Sequence, residues 1–376
     1  MLMTLRRQLL KFFVLGVPMF FLCPSPSAKA LDQWDTVTPS GTSGYAYNAV
    51  AAMNDTVFLA TDHGVYRSTN KGTAWSALNT GLGNQSVNAI AIGWTYDGAA
   101  NSGAGGYVAD SSTPVFAATA GGVYQTTMGG SSWTSASSGI TDTNVKDIQF
   151  DQSLAVAGTA TALYAATPSG VFRSDDTGAT WAAVNTGLSG QSITRLATDF
   201  GRGEVYALTA SNRLYESAAF SVSGQAESWS LAYNAGSTVL RDVAMLNPIG
   251  SIHWVAAGTT VLKSNDLGTL FPSHSDGLPG SAVNAVISDY TDSNIAFAGL
   301  QGSGVYRTVN EALTTPQWQP INKNLSDLTI RDVVTTPSST LLVYATGASG
   351  VYRLEFSDPY IDLTPPAAPS GLDVAL

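Results

Sequence analysis

The chain has 376 residues, of which only 12% are charged, about half the proportion usual in soluble domains. Its hydrophobic share of 44%, with 8 Trp, 15 Tyr and 13 Phe, excludes an intrinsically disordered protein, because so much apolar surface favours a buried core. A formal net charge of −10 argues against binding to a nucleic-acid backbone, and a single Cys excludes an internal disulfide or a Cys-rich metal site.

The first thirty residues have the pattern of a secretory signal peptide. A basic start (Arg6, Arg7 and Lys11) precedes an apolar run over Phe12 to Leu22, and Ala28-Lys29-Ala30 matches a cleavage site. The apolar run is too short for a membrane anchor, which needs about 20 residues. We therefore predict cleavage near Ala30 and export to the periplasm or the extracellular space. Export by the Sec route is expected, and the Arg6-Arg7 pair leaves the twin-arginine route open.

Seven copies of a strand pattern follow the leader. The tripeptide Gly-Val-aromatic, or a degenerate copy of it, marks the third strand of each repeat and begins at Gly64, Gly122, Gly170, Arg213, Thr260, Gly304 and Gly350. An apolar-aromatic strand precedes each copy, and a first strand of the type Val145-Lys146-Asp147-Ile148 lies further upstream. Short β-branched or aromatic runs bounded by Gly, Ser, Asn and Asp are typical of strands.

A fourth strand with an aromatic residue closes every repeat except the last. These residues are Trp75, Trp133, Trp181, Trp229, Phe271 and Trp318, and the missing seventh copy lies near the start of the mature chain, around Trp34. Ring closure explains the displacement, because the N-terminal segment then supplies the outer strand of the last repeat; an open solenoid would instead need polar caps. The sequence thus predicts an all-β fold: a seven-bladed β-propeller over residues 31–360, with four antiparallel strands per blade.

The turn between the third and fourth strands carries a motif. Ser174-Asp175-Asp176-Thr177-Gly178-Ala179-Thr180-Trp181 matches the Asp-box pattern S-x-D-x-G-x-[ST]-W, in which a short acidic side chain accepts N–H groups of its own turn. Ser68, Asn70, Gly72 and Trp75 form a second copy, and Ser264, Asp266 and Gly268 a third. With these motifs, residues 31–357 resemble the bacterial-neuraminidase-repeat (Asp-box) propellers, a superfamily that includes photosystem II assembly factors, sortilin-like proteins and xyloglucanases. The resemblance implies a structural role for the box residues, on the face opposite the usual binding face.

The start of each innermost strand is predicted to line the mouth of the central channel. The residues at this position are Asn48, Asn88, Lys146, Thr194, Arg241, Asn284 and Arg331, and the next position adds Asp147, Arg195, Asp242 and Asp332. Such a cluster in a charge-poor protein indicates either a binding site or mutually paired groups that stabilise the channel, and both interpretations stay open.

Three functions fit these residues. The first is a secreted, non-enzymatic scaffold that binds or assembles a protein or a glycan, and we favour it. The second, implied by the resemblance, is a glycoside hydrolase of the xyloglucanase type, for which Asp147, Asp242 and Asp332 would be the catalytic candidates. The third is a sialidase, in which arginines such as Arg195, Arg241 and Arg331 grip a carboxylate, although the chain lacks the Arg-Ile-Pro motif of that group.

No cofactor, metal or integral membrane span is predicted, and a monomer is expected. The three histidines, His63, His253 and His274, belong to different repeats or strands and do not form a metal-ligand pattern. The loops between second and third strands are very short, which predicts a shallow binding face. Residues 361–376 begin with a Pro-rich stretch and form either a linker or the start of a fibronectin type III-like module.

Overall fold

A computed structural model of the chain describes residues 33–93, 95–97, 106–151, 162–199, 204–217, 228–245, 253–264, 272–289, 295–309, 317–336 and 341–356. All of them belong to one compact unit, Asp32–Leu376. The predicted leader, the predicted C-terminal segment, and Asp266, Gly268 and Phe271 of the third Asp-box copy lie outside the described residues. Within the described ranges every regular element is a β-strand, and no helix is long and apolar enough to cross a membrane.

The strands form seven radial sheets, numbered here as blades 1 to 7 in the order of their innermost strands. The N-terminal strand is β1 (Trp34–Thr36), and blades 1 to 3 contain β2 (Tyr47–Met53), β3 (Thr56–Thr61), β4 (Gly64–Ser68), β5 (Ser76–Ala77); β6 (Val87–Ile92), β9 (Pro114–Thr119), β10 (Gly122–Thr127), β11 (Thr134–Ser135); and β12 (Asp147–Asp151), β13 (Ala162–Thr167), β14 (Gly170–Ser174), β15 (Ala182–Ala183). A separate hairpin, β7 (Thr95–Asp97) and β8 (Gly106–Val108), lies between β6 and β9 in sequence.

Blades 4 to 7 repeat the arrangement. They contain β16 (Ile193–Asp199), β17 (Glu204–Thr209), β18 (Arg213–Ser217), β19 (Trp229–Asn234); β20 (Leu240–Met245), β21 (His253–Ala257), β22 (Thr260–Ser264); β23 (Val283–Ser288), β24 (Ile295–Leu300), β25 (Gly304–Val309), β26 (Gln319–Pro320); and β27 (Ile330–Thr335), β28 (Leu342–Gly347), β29 (Val351–Glu355). In blade 5, the described residues form three strands, and an isolated antiparallel bridge between Leu262 and Ser273 occupies the position of the fourth strand.

The N-terminal strand closes the ring. The last sheet has the order β1-β29-β28-β27, and the antiparallel pair β1/β29 places Trp34 opposite Leu354. The predicted fold is therefore confirmed: a seven-bladed propeller of four-stranded antiparallel blades, with Trp34 in the closing strand. One detail differs: β5, β11, β15 and β26 have only two residues each, and each begins one residue after the Trp of its repeat.

The apolar core is divided among the blade interfaces. Seven clusters of buried residues are found, and each joins two neighbouring blades; for example, Phe58 and Ala60 of blade 1 pack with Val87 and Ile90 of blade 2. The second strands are covered on both faces, so that every residue of β13, β24 and β28 is buried. A strand covered on both faces must be apolar throughout, which explains the low charge content of the chain.

The six described tryptophans at the outer position share one contact. Each indole Nε1 donates to a backbone carbonyl of the preceding blade at 2.6 to 2.8 Å. The pairs are Trp34–Ile321, Trp75–Val37, Trp133–Leu78, Trp181–Ala136, Trp229–Val184 and Trp318–His274. The acceptor always follows the preceding aromatic position by three residues, so one repeat unit holds the next in register around the ring.

The segment after each Trp fixes the contact between blades. Gly187 has a φ of +94°, and a Cβ added there would lie 2.1 Å from the carbonyl oxygen of Trp229. The position therefore requires glycine both for its backbone conformation and for the close approach of the next blade.

Candidate functional site

The face of the channel mouth is defined by the starts of the innermost strands. We call the residues at this position the mouth ring (Asn48, Asn88, Lys146, Thr194, Arg241, Asn284 and Arg331) and those that follow them the throat ring (Ala49, Ala89, Asp147, Arg195, Asp242, Ala285 and Asp332). In six blades the pairing of the first two strands shifts register at the mouth-ring residue, which is a β-bulge; in blade 3, the described pairing begins one residue later, at Asp147. A β-bulge redirects side chains, and here it allows two successive residues of an innermost strand to lie at the channel.

Three asparagines of the mouth ring connect neighbouring blades. Asn48 Nδ2 donates to the carbonyl of Val87 at 2.8 Å and joins blade 1 to blade 2. Asn88 repeats the contact toward Val145 in blade 3 at 2.7 Å. Asn284 does so between blades 6 and 7, toward the carbonyl of Ile330 at 2.7 Å. The three amides thus act as clasps between blades.

Three carboxylates of the throat ring clasp three further interfaces. Asp147 Oδ2 accepts the N–H of Leu196 at 2.8 Å and connects blades 3 and 4. The corresponding contacts of Asp242 (Val286 N–H, 2.9 Å) and Asp332 (Val50 N–H, 3.0 Å) connect blades 5 and 6 and blades 7 and 1.

The remaining interface, between blades 4 and 5, is bridged by an ion pair. Arg195 Nε lies 3.9 Å from Asp242 Oδ1. All seven interfaces therefore carry a polar contact next to the channel, made by an Asn, an Asp or this pair. Seven of the ten predicted binding or catalytic candidates take part in these contacts, which supports the stabilising interpretation for them.

Burial dominates the electrostatics of the throat ring. It raises the pKa of Asp147 and of Asp332, and it raises the pKa of Asp242 to about 7, although Arg195 and backbone N–H groups oppose these shifts. Burial also opposes the charge of Arg195, but the three surrounding carboxylates raise its pKa. Arg195 and Asp242 keep 35% and 19% of their side chains exposed, and both line the central cavity. Asp242 consequently changes its ionisation near neutral pH.

The throat ring surrounds a cavity of about 260 Å³. Small residues such as Ala49 and Ala89 line one side, and Asp147, Arg195 and Asp332 line the other. A cavity of this size lies below the range of about 300 to 1,000 Å³ that is common for ligand pockets. Among the described residues, no group of three or more His, Cys, Asp or Glu side chains is placed to hold a metal ion.

Three cations of the mouth ring are left outside the clasps. In the described part of the chain, the side chains of Lys146 and Arg331 make no hydrogen bond or ion pair, and Arg241 makes one long contact, 3.4 Å from Nη1 to the carbonyl of Gly258. Arg331 is exposed, and Lys146 and Arg241 are half-buried. Because they belong to blades 3, 5 and 7, they surround the mouth at roughly even spacing. These are the predicted residues whose charge is available to a ligand.

The residues of the predicted Asp-box turns lie at the other face. Ser174 Oγ donates to Asp176 Oδ1 at 2.7 Å, and the same oxygen of Asp176 accepts the N–H of Thr180 at 2.8 Å. In the other described copy, Asn70 Oδ1 accepts the N–H of Ala74 at 2.8 Å. The hydrogen bonds of Asp176 with Thr180 lower its pKa. These contacts all lie within one turn, and each box stabilises its own hairpin.

One surface feature of the mouth face was missed in the sequence. The turn Asp62-His63 of blade 1 lies beside Tyr45, whose ring stacks on that of His63 at 4.0 Å between centroids and 7° between planes. The sequence could have indicated it, because among the described turns between second and third strands this is the one that contains charged or aromatic side chains.

Comparison with known proteins shows the fold. No protein-family model and no curated protein matches the chain. Among solved structures, "YCF48 bound to D1 peptide" is similar with a TM-score of 0.59 at 13% identity, over 86% of this chain and 95% of that one. YCF48 from Cyanidioschyzon merolae has a TM-score of 0.59 at 15% identity, over 86% and 98%. The GH74 enzyme from Niastella koreensis has a TM-score of 0.56 at 16% identity, over 84% of this chain and only 52% of that one.

Proposed function

We propose that the protein is a non-enzymatic propeller that binds an anionic partner, a protein or a polysaccharide, at its mouth face. The proposal depends on the three cations that the clasps leave free, Lys146, Arg241 and Arg331. Charged groups that already have partners contribute to stability, whereas free cations at the entrance of a channel attract and orient anions. The YCF48 structure with a bound D1 peptide supports it, because it is a propeller of this fold that takes a peptide.

A charge substitution on each face tests the proposal. Arg331→Gln removes one exposed cation of the mouth ring, and Lys71→Gln, in the turn between β4 and β5 on the opposite face, is the matched control. We expect the first variant to bind acidic peptides or polysaccharides about threefold to tenfold more weakly at low ionic strength, and the control to match the unmodified protein. Titration calorimetry of the full chain measures both. Equal loss in the two variants would mean that only net charge matters, and this would contradict a specific mouth site.

A glycoside hydrolase is the second candidate, and one observation favours it. Burial raises the pKa of Asp242 to about 7, a range that suits a general acid. Against it, the carboxylates of Asp147, Asp242 and Asp332 each accept backbone N–H groups in the clasps. A hydrolysis screen decides between the two: turnover of a glycan that Asp147→Asn or Asp332→Asn abolishes would replace the binding proposal.

We also propose that the mature protein is exported after cleavage near Ala30. The proposal rests on the basic start, apolar run and small-residue site of residues 1–30. N-terminal sequencing of the protein recovered from the cell envelope or medium tests it, and a mature chain that still begins at Met1 would overturn it.

A further inference from the structure

Blade 1 departs from the other blades in one turn of the mouth face. Six of the seven turns between second and third strands contain only small or uncharged residues: Ala120-Gly121, Pro168-Ser169, Ala210-Ser211-Asn212, Gly258-Thr259, Gln301-Gly302-Ser303 and Ala348-Ser349-Gly350. The seventh is Asp62-His63. In a ring of equivalent turns, the position that breaks the pattern is where a specific contact is expected, because the fold itself does not require it.

The turn is held in a defined geometry. Asp62 Oδ1 accepts the backbone N–H of Ala46 at 2.9 Å and lies 2.8 Å from His63 Nδ1. Tyr45 stacks on one face of the His63 ring. The backbone N–H of Tyr45 donates to the carbonyl of Thr42 at 3.1 Å. The aromatic pair is thus oriented from several sides before any ligand arrives.

Much of this turn is open to solvent. His63 keeps 53% of its side chain exposed, and Asp62 keeps 38%. Since Tyr45 stacks on one face of the imidazole, the open area of His63 lies on the rest of its side chain. Among the described residues, the second carboxylate oxygen, Asp62 Oδ2, has no hydrogen-bond partner. Although burial works against it, hydrogen bonds from His63 and Ala46 lower the pKa of Asp62, so this oxygen is a charged acceptor at neutral pH.

We propose that Tyr45, Asp62 and His63 form a subsite for a sugar ring, so that the anionic partner of the mouth face is an acidic polysaccharide. The inference rests on the proposed binding function and specifies its ligand. An exposed ring face offers the flat apolar surface on which a pyranose packs, and the free carboxylate oxygen accepts its hydroxyl groups. An acidic peptide meets this surface less well, because it lacks the pyranose face and the ring hydroxyl groups that these contacts use.

In this proposal the subsite contacts the sugar ring and the mouth ring contacts the carboxylates of the ligand. Arg331 belongs to blade 7, the neighbour of blade 1 across the closing interface, and lies on the same face. A uronic-acid polymer offers a carboxylate for Arg331 and a ring face for His63. A neutral sugar satisfies only the second contact and a polyglutamate only the first.

Two chemically matched probes separate these contacts. Hexagalacturonate carries rings and carboxylates, whereas hexaglutamate carries carboxylates alone. Titration calorimetry with the full chain compares the unmodified protein with His63→Ala, His63→Phe, Asp62→Asn and Arg331→Gln. Gln301→Ala, in the equivalent turn of blade 6, is the control. The thermal midpoint of each variant is measured beside its affinity, to confirm that the fold is kept.

We expect His63→Ala to weaken hexagalacturonate binding about fivefold to tenfold without changing its dependence on ionic strength, because the ring contact is uncharged. His63→Phe should restore the affinity, and Asp62→Asn should weaken it. Arg331→Gln should weaken both probes. If His63→Ala leaves hexagalacturonate unaffected while Arg331→Gln weakens it, the sugar subsite is wrong and the anion-binding function stands. Preference for hexaglutamate, with equal loss in His63→Ala, would assign the turn to a peptide instead. Absence of binding to both probes would overturn the inference together with the proposed function.

Discussion

Replacing Asp242 with asparagine tests whether the buried carboxylate of Asp242 lowers the stability of the fold when it is ionised. Burial raises the pKa of Asp242 from 3.8 to about 7, so between these values the folded protein holds a proton that the unfolded chain has released. By linkage, the stability contributed by this group is largest below the unfolded pKa and is lost as the pH rises toward the folded one. A shift of roughly three pH units corresponds to about 4 kcal/mol, and because 19% of the side chain is exposed we expect about 2 kcal/mol to be observed.

Asparagine resembles the protonated acid, since it keeps an oxygen for the N–H of Val286 and cannot ionise. Any cost of replacing the second oxygen is present at every pH. The free energy of unfolding of Asp242→Asn relative to the unmodified protein should therefore increase by about 2 kcal/mol between mildly acidic and mildly alkaline buffer. Urea unfolding followed by tryptophan fluorescence measures it. A difference that stays constant with pH, or that moves in the opposite direction, would refute the reasoning.

Two further predictions concern the ring itself. Gly187→Ala should lower the free energy of unfolding by at least about 1–2 kcal/mol more than Gly190→Ala. Both glycines have positive φ, but only Gly187 faces the carbonyl of Trp229. Denaturant unfolding of the two variants compares them, and equal losses of stability would contradict the close approach at Gly187. Trp34→Ala should lower the free energy of unfolding by about 3–5 kcal/mol, and Trp34→Phe by only about 1 kcal/mol. The second change removes just the hydrogen bond to Ile321. Equal instability of the two variants in the same assay would show that the packing argument is wrong.

The architecture was readable from the sequence because it is periodic. The displaced Trp34 and the repeated Gly-Val-aromatic tripeptide determine the number of blades and the way the ring closes, and the structure confirms both. The bulges at the mouth ring were not predicted, because a single extra residue in a strand leaves no signature in a short apolar pattern. The two-residue outer strands were missed for a related reason: the Trp that marks them precedes the paired residues.

The candidate site was predicted only in part. The sequence placed the charged residues at the channel, but it did not distinguish those with partners from those without. Asp332, for example, binds the N–H of Val50, which is 282 residues away in the chain. Such contacts depend on how neighbouring blades are rotated, and no local pattern records them. The stacked pair of Tyr45 and His63 was missed in the same way, since the two residues are separated by a complete hairpin.

Closure by β1 also affects the order in which the chain can fold. Blade 7 combines the first strand of the described chain with the last one, so that β29 lies between β28 and β1. During synthesis, the strands of blades 1 to 6 can pair with strands close to them in sequence. The first strand, β1, can pair only after residues 351–355 of β29 have been made. Until β27 and β28 are made, the apolar faces that blade 7 covers on blades 1 and 6 remain exposed. A product truncated before Ile330 would keep these faces open and leave β1 unpaired, which makes such incomplete chains prone to aggregation and proteolysis.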